Sequence, residues 1–350
     1  MKEINIIHEL SNRIKRPINL MEVCGTHTVA IFKSGIKSLL PPSLKLLSGP
    51  GCPVCVTAIE DIDRAVAYSL LDDVILTTFG DMLRVPGSNK SLMSAKAEGG
   101  HIEIVYSPLD SLNIAIKHKA KKIVFFSAGF ETTAPLAAAT LLEAEKRGIS
   151  NFFLYSVHKL VPPALEVLLN SDDVRIDGFI LPGHVSSIIG SKPYQFMIEK
   201  YKVPSVITGF KAEDIVGGIM MLLKQIYEGK PSVEIQYKSS VKPEGNQKAV
   251  DYMYQVFEPA DSYWRGIGNL KNSGLKLKNE WMNRDSEKII PLQVNSSPEP
   301  KGCQCGLILR GIKTPPECPL FEKVCSPENP VGACMVSTEG SCAAYFKYGR

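Results

Sequence analysis

The sequence has no compact basic block, no long apolar run and no cysteine between residues 56 and 302. Each absence excludes a class of function. Lysine and arginine are scattered and the formal net charge is only +4, so no basic–aromatic stripe argues for nucleic acid. The opening MKEINIIHEL has acidic residues inside its apolar stretch, unlike a signal peptide. No later segment approaches the ~20 apolar residues a membrane span needs. A cytoplasmic protein with neither nucleic-acid nor membrane partners is expected. There is no Walker loop and no G-x-G-x-x-G fingerprint, so no nucleotide site is expected. No histidine follows His184, which rules out a Cys/His zinc finger in the C-terminal part.

What is present is cysteine, nine in 350 residues, unevenly placed. Cys24, Cys52 and Cys55 lie near the start; Cys303, Cys305, Cys318, Cys325, Cys334 and Cys342 lie near the end. In a reducing compartment clustered thiols mean metal or redox chemistry rather than structural disulfides. Two chemical centres follow.

The apolar pattern gives the frame. Ile6, Ile7, Leu10 and Ile14 recur at helical spacing. Short runs at 18–23, 44–47, 74–77, 102–106, 123–126, 152–156, 178–181 and 205–208 are rich in Val, Ile and Phe, as in strands buried on both faces of a parallel sheet. Helical stretches separate most of them, at 131–147 and 213–227 among others. Thr57-Ala58-Ile59-Glu60 has the form of a capping box. The fold class is therefore α/β: two parallel-sheet α/β domains, residues 16–130 and 131–240, and a loop- and helix-rich C-terminal domain, 241–350, to which helix 1–15 could belong. A segment as poor in aliphatic residues as 295–350 needs staples, and metal can supply them.

Unusual residues fall just after the expected strands. They are Cys24-Gly25-Thr26-His27-Thr28, Gly49-Pro50-Gly51-Cys52-Pro53-Val54-Cys55, the loop 79–87, Gly129-Phe130-Glu131, Pro182-Gly183-His184 and Gly209-Phe210. Loops after parallel strands line the carboxyl edge, where ligands bind; the bland alternative is that glycine simply makes βα turns. Cys52 and Cys55 form a C-x-x-C pair able to share a metal or close a disulfide. Cys24 precedes an expected helix N-terminus, which would lower its thiol pKa, and His27 could serve as ligand, proton donor or ligand partner. Together they suit a soft ion in a site that is not fully closed. Glu131 and His184 could handle protons, or merely cap and brace; Asp81 and Arg84 could form a plain loop ion pair.

The C-terminal cysteines show neither paired C-x₂-C zinc knuckles nor the bacterial ferredoxin spacing. Six thiols exceed the four a cubane cluster uses, so four ligands plus a redox pair account for them, with fifteen formal ways to choose. The C-x-C element resembles ferredoxin:thioredoxin reductase. That resemblance implies [4Fe–4S] ligands at Cys303, Cys318, Cys325 and Cys342 and a redox pair of Cys305 and Cys334.

The full set of motifs resembles the hydrogenase maturation family HypD: CGTHT at 24–28, GPGCPVC at 49–55, TFGDMLRVPG at 78–87, GFETT at 129–133, LPGHVS at 181–186 and the tail GCQCG…CPLF…C…NPVGACMVSTEGSCAAYF at 302–346. The segment 209–214 departs from the family's usual wording and leaves Lys211 without a role. The resemblance implies a scaffold that assembles the Fe(CN)₂CO group of [NiFe]-hydrogenases with HypC, cyanide arriving from HypE and HypF. It implies that Cys24 holds the iron, with His27, Cys52 and Cys55 beside it and Cys55 a second candidate ligand. A cofactor-assembly scaffold with redox activity is the reading; an iron–sulfur-dependent protein disulfide reductase is the alternative.

Overall fold

A computed structural model describes residues 2–349. All eight expected strands form, in chain order β1 Ile18–Glu22, β2 Leu44–Ser48, β3 Val74–Thr78, β4 Ile102–Ile104, β5 Lys122–Ser127, β6 Phe152–Ser156, β7 Gly178–Pro182 and β8 Ser205–Thr208. Three more follow: β9 Val233–Ile235, β10 Phe257–Trp264 and β11 Gly268–Leu277. One parallel sheet has the order β2-β1-β7-β8-β9, a second β4-β3-β5-β6, and β10-β11 is an antiparallel hairpin.

The strands do not divide at residue 130. β5 and β6 lie on either side of that point and pair with each other, Ile123 opposite Phe152. β1 pairs with β7, Leu20 opposite Gly178. The first sheet is thus discontinuous in sequence: two strands are laid down, the second sheet is inserted whole, and three strands complete the first. Periodicity reports strands, not partners, so the crossover left no local mark.

Helix Lys2–Ile14 does not join the C-terminal part. Its Ile7 is buried with Ile18, Leu20, Ile219 and Leu222 on the outer face of the first sheet. The hairpin and helix Gln247–Val256 cover the second sheet, where Met253, Phe257 and Leu275 pack with Phe125, Leu141 and Leu154. The hairpin alternates buried and exposed residues only loosely and carries Pro259 and a bulge between Ala260 and Ser262. Those features read as loop in sequence. The expected capping box at Thr57 is not formed. The Thr57 hydroxyl donates back to Pro53 O (2.8 Å), and Ala58 takes the cap position of helix Ile59–Ser69.

Within each sheet the strand order places a topological switch point, where chain direction across the sheet reverses and a crevice opens at the carboxyl edge. In the first sheet it lies between β1 and β7, in the second between β3 and β5. The loops beginning at Cys24 and Gly183 flank the first, and those at Phe79 and Gly129 the second.

Candidate metal and thiol centre

β1 delivers Cys24 to the first crevice. Val23 N–H still bonds across to Ile180 O of β7 (3.1 Å); Cys24 is extended (φ −158°) and caps helix Gly25–Lys33. Glu22, buried at the strand end, accepts the Cys24 N–H (3.2 Å) and the Thr28 hydroxyl. The GPGC loop lies directly against this turn. Gly25 N–H donates to Gly51 O (3.3 Å), and a Cβ on Gly51 would overlap Val23 C=O and Cys24 N. Only glycine lets the two cysteine loops come this close.

The expected lowering of the Cys24 pKa does not hold. Burial pushes the thiol up to about 12, and the Thr26 hydrogen bond offsets only part of that. A helix terminus contributes at most about 1–2 kcal/mol, less than the desolvation it opposes. Cys24 is therefore a protected thiol that a bound metal would deprotonate.

His27 is wholly buried. Its Nε2 is 2.9 Å from Gly209 O and 2.9 Å from Thr208 Oγ1. A carbonyl can only accept, so Nε2 carries the proton and Nδ1 holds the lone pair. Nδ1 has no hydrogen-bond partner. Burial lowers the ring to about 4, so at neutral pH His27 is an acceptor or a ligand, not a proton donor. Phe210 lies between two imidazoles, stacking on His27 (4.7 Å between centroids) and on His184 (3.9 Å). Over this group lies the tail: Glu339 accepts the Thr26 hydroxyl (2.6 Å).

Cys55 turns toward the tail. Its thiol neighbours those of Cys334 and Cys52 and donates to Ala333 O at 4.0 Å. Cys334 in turn neighbours Cys305 and Cys342, and Cys305 neighbours Cys303, all of them free thiols. Cys325 Sγ accepts Val331 N–H (3.4 Å) and feels Cys303 and Cys305, and Cys318 Sγ donates to Gly302 O (3.8 Å). A continuous line of thiols thus runs Cys52–Cys55–Cys334–Cys305–Cys303. Its inner members are buried; Cys303 and Cys305 are partly exposed. Burial raises the pKa of Cys55, and neighbouring thiols, with burial after them, raise those of Cys334 and Cys342.

The second crevice contributes Glu131. Its Oε1 accepts Val161 N–H (2.9 Å) at the start of helix Val161–Leu169, and Oε2 has no partner. Burial raises this carboxyl to about 7. Buried Tyr194 feels both Glu131 and Cys24, so the two crevices lie within electrostatic reach of each other. Arg84 does not pair with Asp81; it donates to Pro327 O (3.3 Å) and Val336 O (3.0 Å), clamping the tail.

A family model described as HypD, "Hydrogenase formation hypA family", matches residues 1–349. The chain belongs to the HypD family. It is 45% identical over 349 residues to a hydrogenase expression/formation protein of Methanocaldococcus jannaschii, covering 100% of this chain and 97% of that one. It is 44% identical over 343 residues to hydrogenase maturation factors HypD of Rhizobium leguminosarum bv. viciae and Azotobacter vinelandii, covering 96% of this chain and 89% and 90% of those.

For a HypD family member the donor set of the tail matters. The thiols of Cys303, Cys305, Cys325, Cys334 and Cys342 gather, with Glu299 near Cys303, a thiol-rich set of the kind an iron–sulfur cluster takes. Among the described residues no three His, Cys, Asp or Glu side chains converge as ligands of one metal ion. The thiols are packed on one another, and Gly332 supplies the space: a Cβ there would lie 2.5 Å from Cys305 Sγ and 2.6 Å from Cys303 Sγ. Among the described residues no helix is long and apolar enough to cross a membrane. Glu22, Tyr194 and Glu339 were missed by sequence reasoning. Glu22 had a signal, a carboxylate inside the apolar strand INLMEV; the other two have none.

Proposed function

We propose that this HypD family member is a scaffold on which the Fe(CN)₂CO group of a [NiFe]-hydrogenase is assembled together with HypC, cyanide coming from HypE and HypF. The observation that carries the reading is the line of thiols ending beside Cys24 at the switch point of the first sheet. The iron group is the cargo, held by the Cys24 thiolate with HypC as the other holder. Coordination removes the thiol proton, so binding is coupled to proton release. His27 keeps its unpaired Nδ1 lone pair free as a candidate ligand for the iron. The Phe210 stack fixes the His27 and His184 rings, and Glu131 holds a proton within reach of neutral pH.

In the tail, Cys303, Cys318, Cys325 and Cys342 would hold a [4Fe–4S] cluster, which supplies single electrons when bound. The protein's own thiols carry electron pairs. The Cys334 thiolate attacks Cys55 of a Cys52–Cys55 disulfide, forming a Cys334–Cys55 bond and releasing the Cys52 thiolate. Cys305 then attacks Cys334, forming Cys305–Cys334 and releasing Cys55 as thiolate; two electrons have moved inward. Raised pKa values keep Cys55, Cys334 and Cys303 protonated and inert when idle.

Disulfide mapping tests this. The fully oxidised protein should hold Cys52–Cys55 and Cys305–Cys334 bonds, and limited reduction should reach Cys52–Cys55 only through Cys334. Cys334→Ser should leave the Cys52–Cys55 bond oxidised under conditions that reduce it in the parent protein. Equal reduction in both would sink the relay.

A further inference from the structure

A cavity of 390 Å³ lies between the first turn of helix Ile59–Ser69, the end of β6, the β10–β11 hairpin and the loop 296–299. That volume is in the range of small-molecule sites. None of the nine cysteines lines it, nor do His27 or His184. Its lining includes Lys159, whose side chain is only 2% exposed. A buried ammonium costs several kcal/mol unless its donors are met. Ser262 Oγ meets one at 2.7 Å and Asp61 Oδ2, at 3.6 Å, partly meets a second; an ammonium has three. Asp61 also accepts the Tyr155 hydroxyl (3.1 Å). The bulge between Ala260 and Ser262 turns Ser262 toward Lys159, as bulges beside sites do.

The charges around the cavity are of two kinds. Lys159 is the buried cation. Around it stand Glu60, Asp261, Glu287 and Glu299, the first two glutamates on Arg64 and the last on Arg265, with one exposed cation, Lys276, already paired with Glu258. A simple anion would meet those carboxylates, and a simple cation would meet Lys159. A molecule carrying both charges suits both ends, and Ile59 and Leu275 leave apolar wall for a side chain.

We propose that this cavity binds a small zwitterion of the α-amino-acid class, its carboxylate on Lys159 and Ser262 and its ammonium on the acidic mouth. The assignment does not depend on the maturation role.

The test is calorimetric titration of the whole protein with each common α-amino acid as a separate probe. At least one should bind saturably. Its amide, which lacks the carboxylate, and its deaminated acid should each bind at least tenfold more weakly. Lys159→Met should lower the affinity tenfold or more. Ser297→Trp, on an exposed stretch of the covering loop, should do the same by filling the mouth, and it serves as the variant least able to disturb the core. No binding by any probe, equal binding of the amide or the acid, or undiminished binding in folded Ser297→Trp would overturn the proposal.

Discussion

Replacing Glu131 with glutamine alters a single buried proton site, and its size can be worked out. Burial raises the carboxyl from an ordinary 4.5 to about 7. Between those values the folded protein binds a proton that the unfolded chain has released. Stability therefore falls as pH rises from about 4.5 to 7, then stays level. A pKa difference of roughly 2.5, at ~1.4 kcal/mol for each tenfold step, gives about 3 kcal/mol. In Glu131→Gln the amide oxygen can still accept the Val161 N–H that Glu131 accepts at 2.9 Å. The variant should match the parent at pH 4.5 and exceed it by about 3 kcal/mol at pH 8. With an unfolding entropy of ~2.1 cal/mol/K per residue, that is about 4 °C in Tm. Thermal unfolding across this pH range is the assay. A stability difference independent of pH, or one of opposite sign, would refute the reasoning. If the proton also serves the site, the more stable variant should be the poorer maturation factor, since functional sites hold such strain at a cost in stability.

Three further outcomes are expected. Gly332→Ala should push Cys303 and Cys305 apart, because its Cβ would meet both sulfurs; iron and acid-labile sulfide in anaerobically purified protein should fall at least several-fold while the far-ultraviolet circular dichroism is kept. Arg84→Ala removes two charge-assisted bonds to tail carbonyls, worth about 1–3 kcal/mol; amides of residues 327–342 should exchange roughly tenfold or more faster, and no change there would show that the clamp is not needed. Cys303→Ser should lose the cluster absorbance and Cys305→Ser should keep it; the reverse would exchange their roles as ligand and redox thiol.

Much of the frame was legible from sequence because buried parallel strands are continuous apolar runs, as in VILTT at 74–78 and KIVFFS at 122–127. Their partners were not, since nothing in INLME states that it pairs with GFILP some 160 residues later. The hairpin 257–277 was hidden by Pro259, its bulge and its polar outer face. At the site, the motif loops do collect at carboxyl edges, as strand position implied. The thiol pKa was misjudged: a helix start is visible in sequence, but the burial that outweighs it is set by Glu339 and the tail arriving from the far end of the chain. The contact of Cys55 with Cys334 is likewise a tertiary fact that no spacing encodes.

Infrared spectroscopy of the anaerobic complex with HypC tests the central claim most directly. Cyanide and carbonyl stretching bands should appear in the complex of the parent protein and vanish in Cys24→Ala, with complex formation retained. Bands of unchanged position and intensity in Cys24→Ala would contradict the assignment of Cys24 as the thiolate that holds the iron.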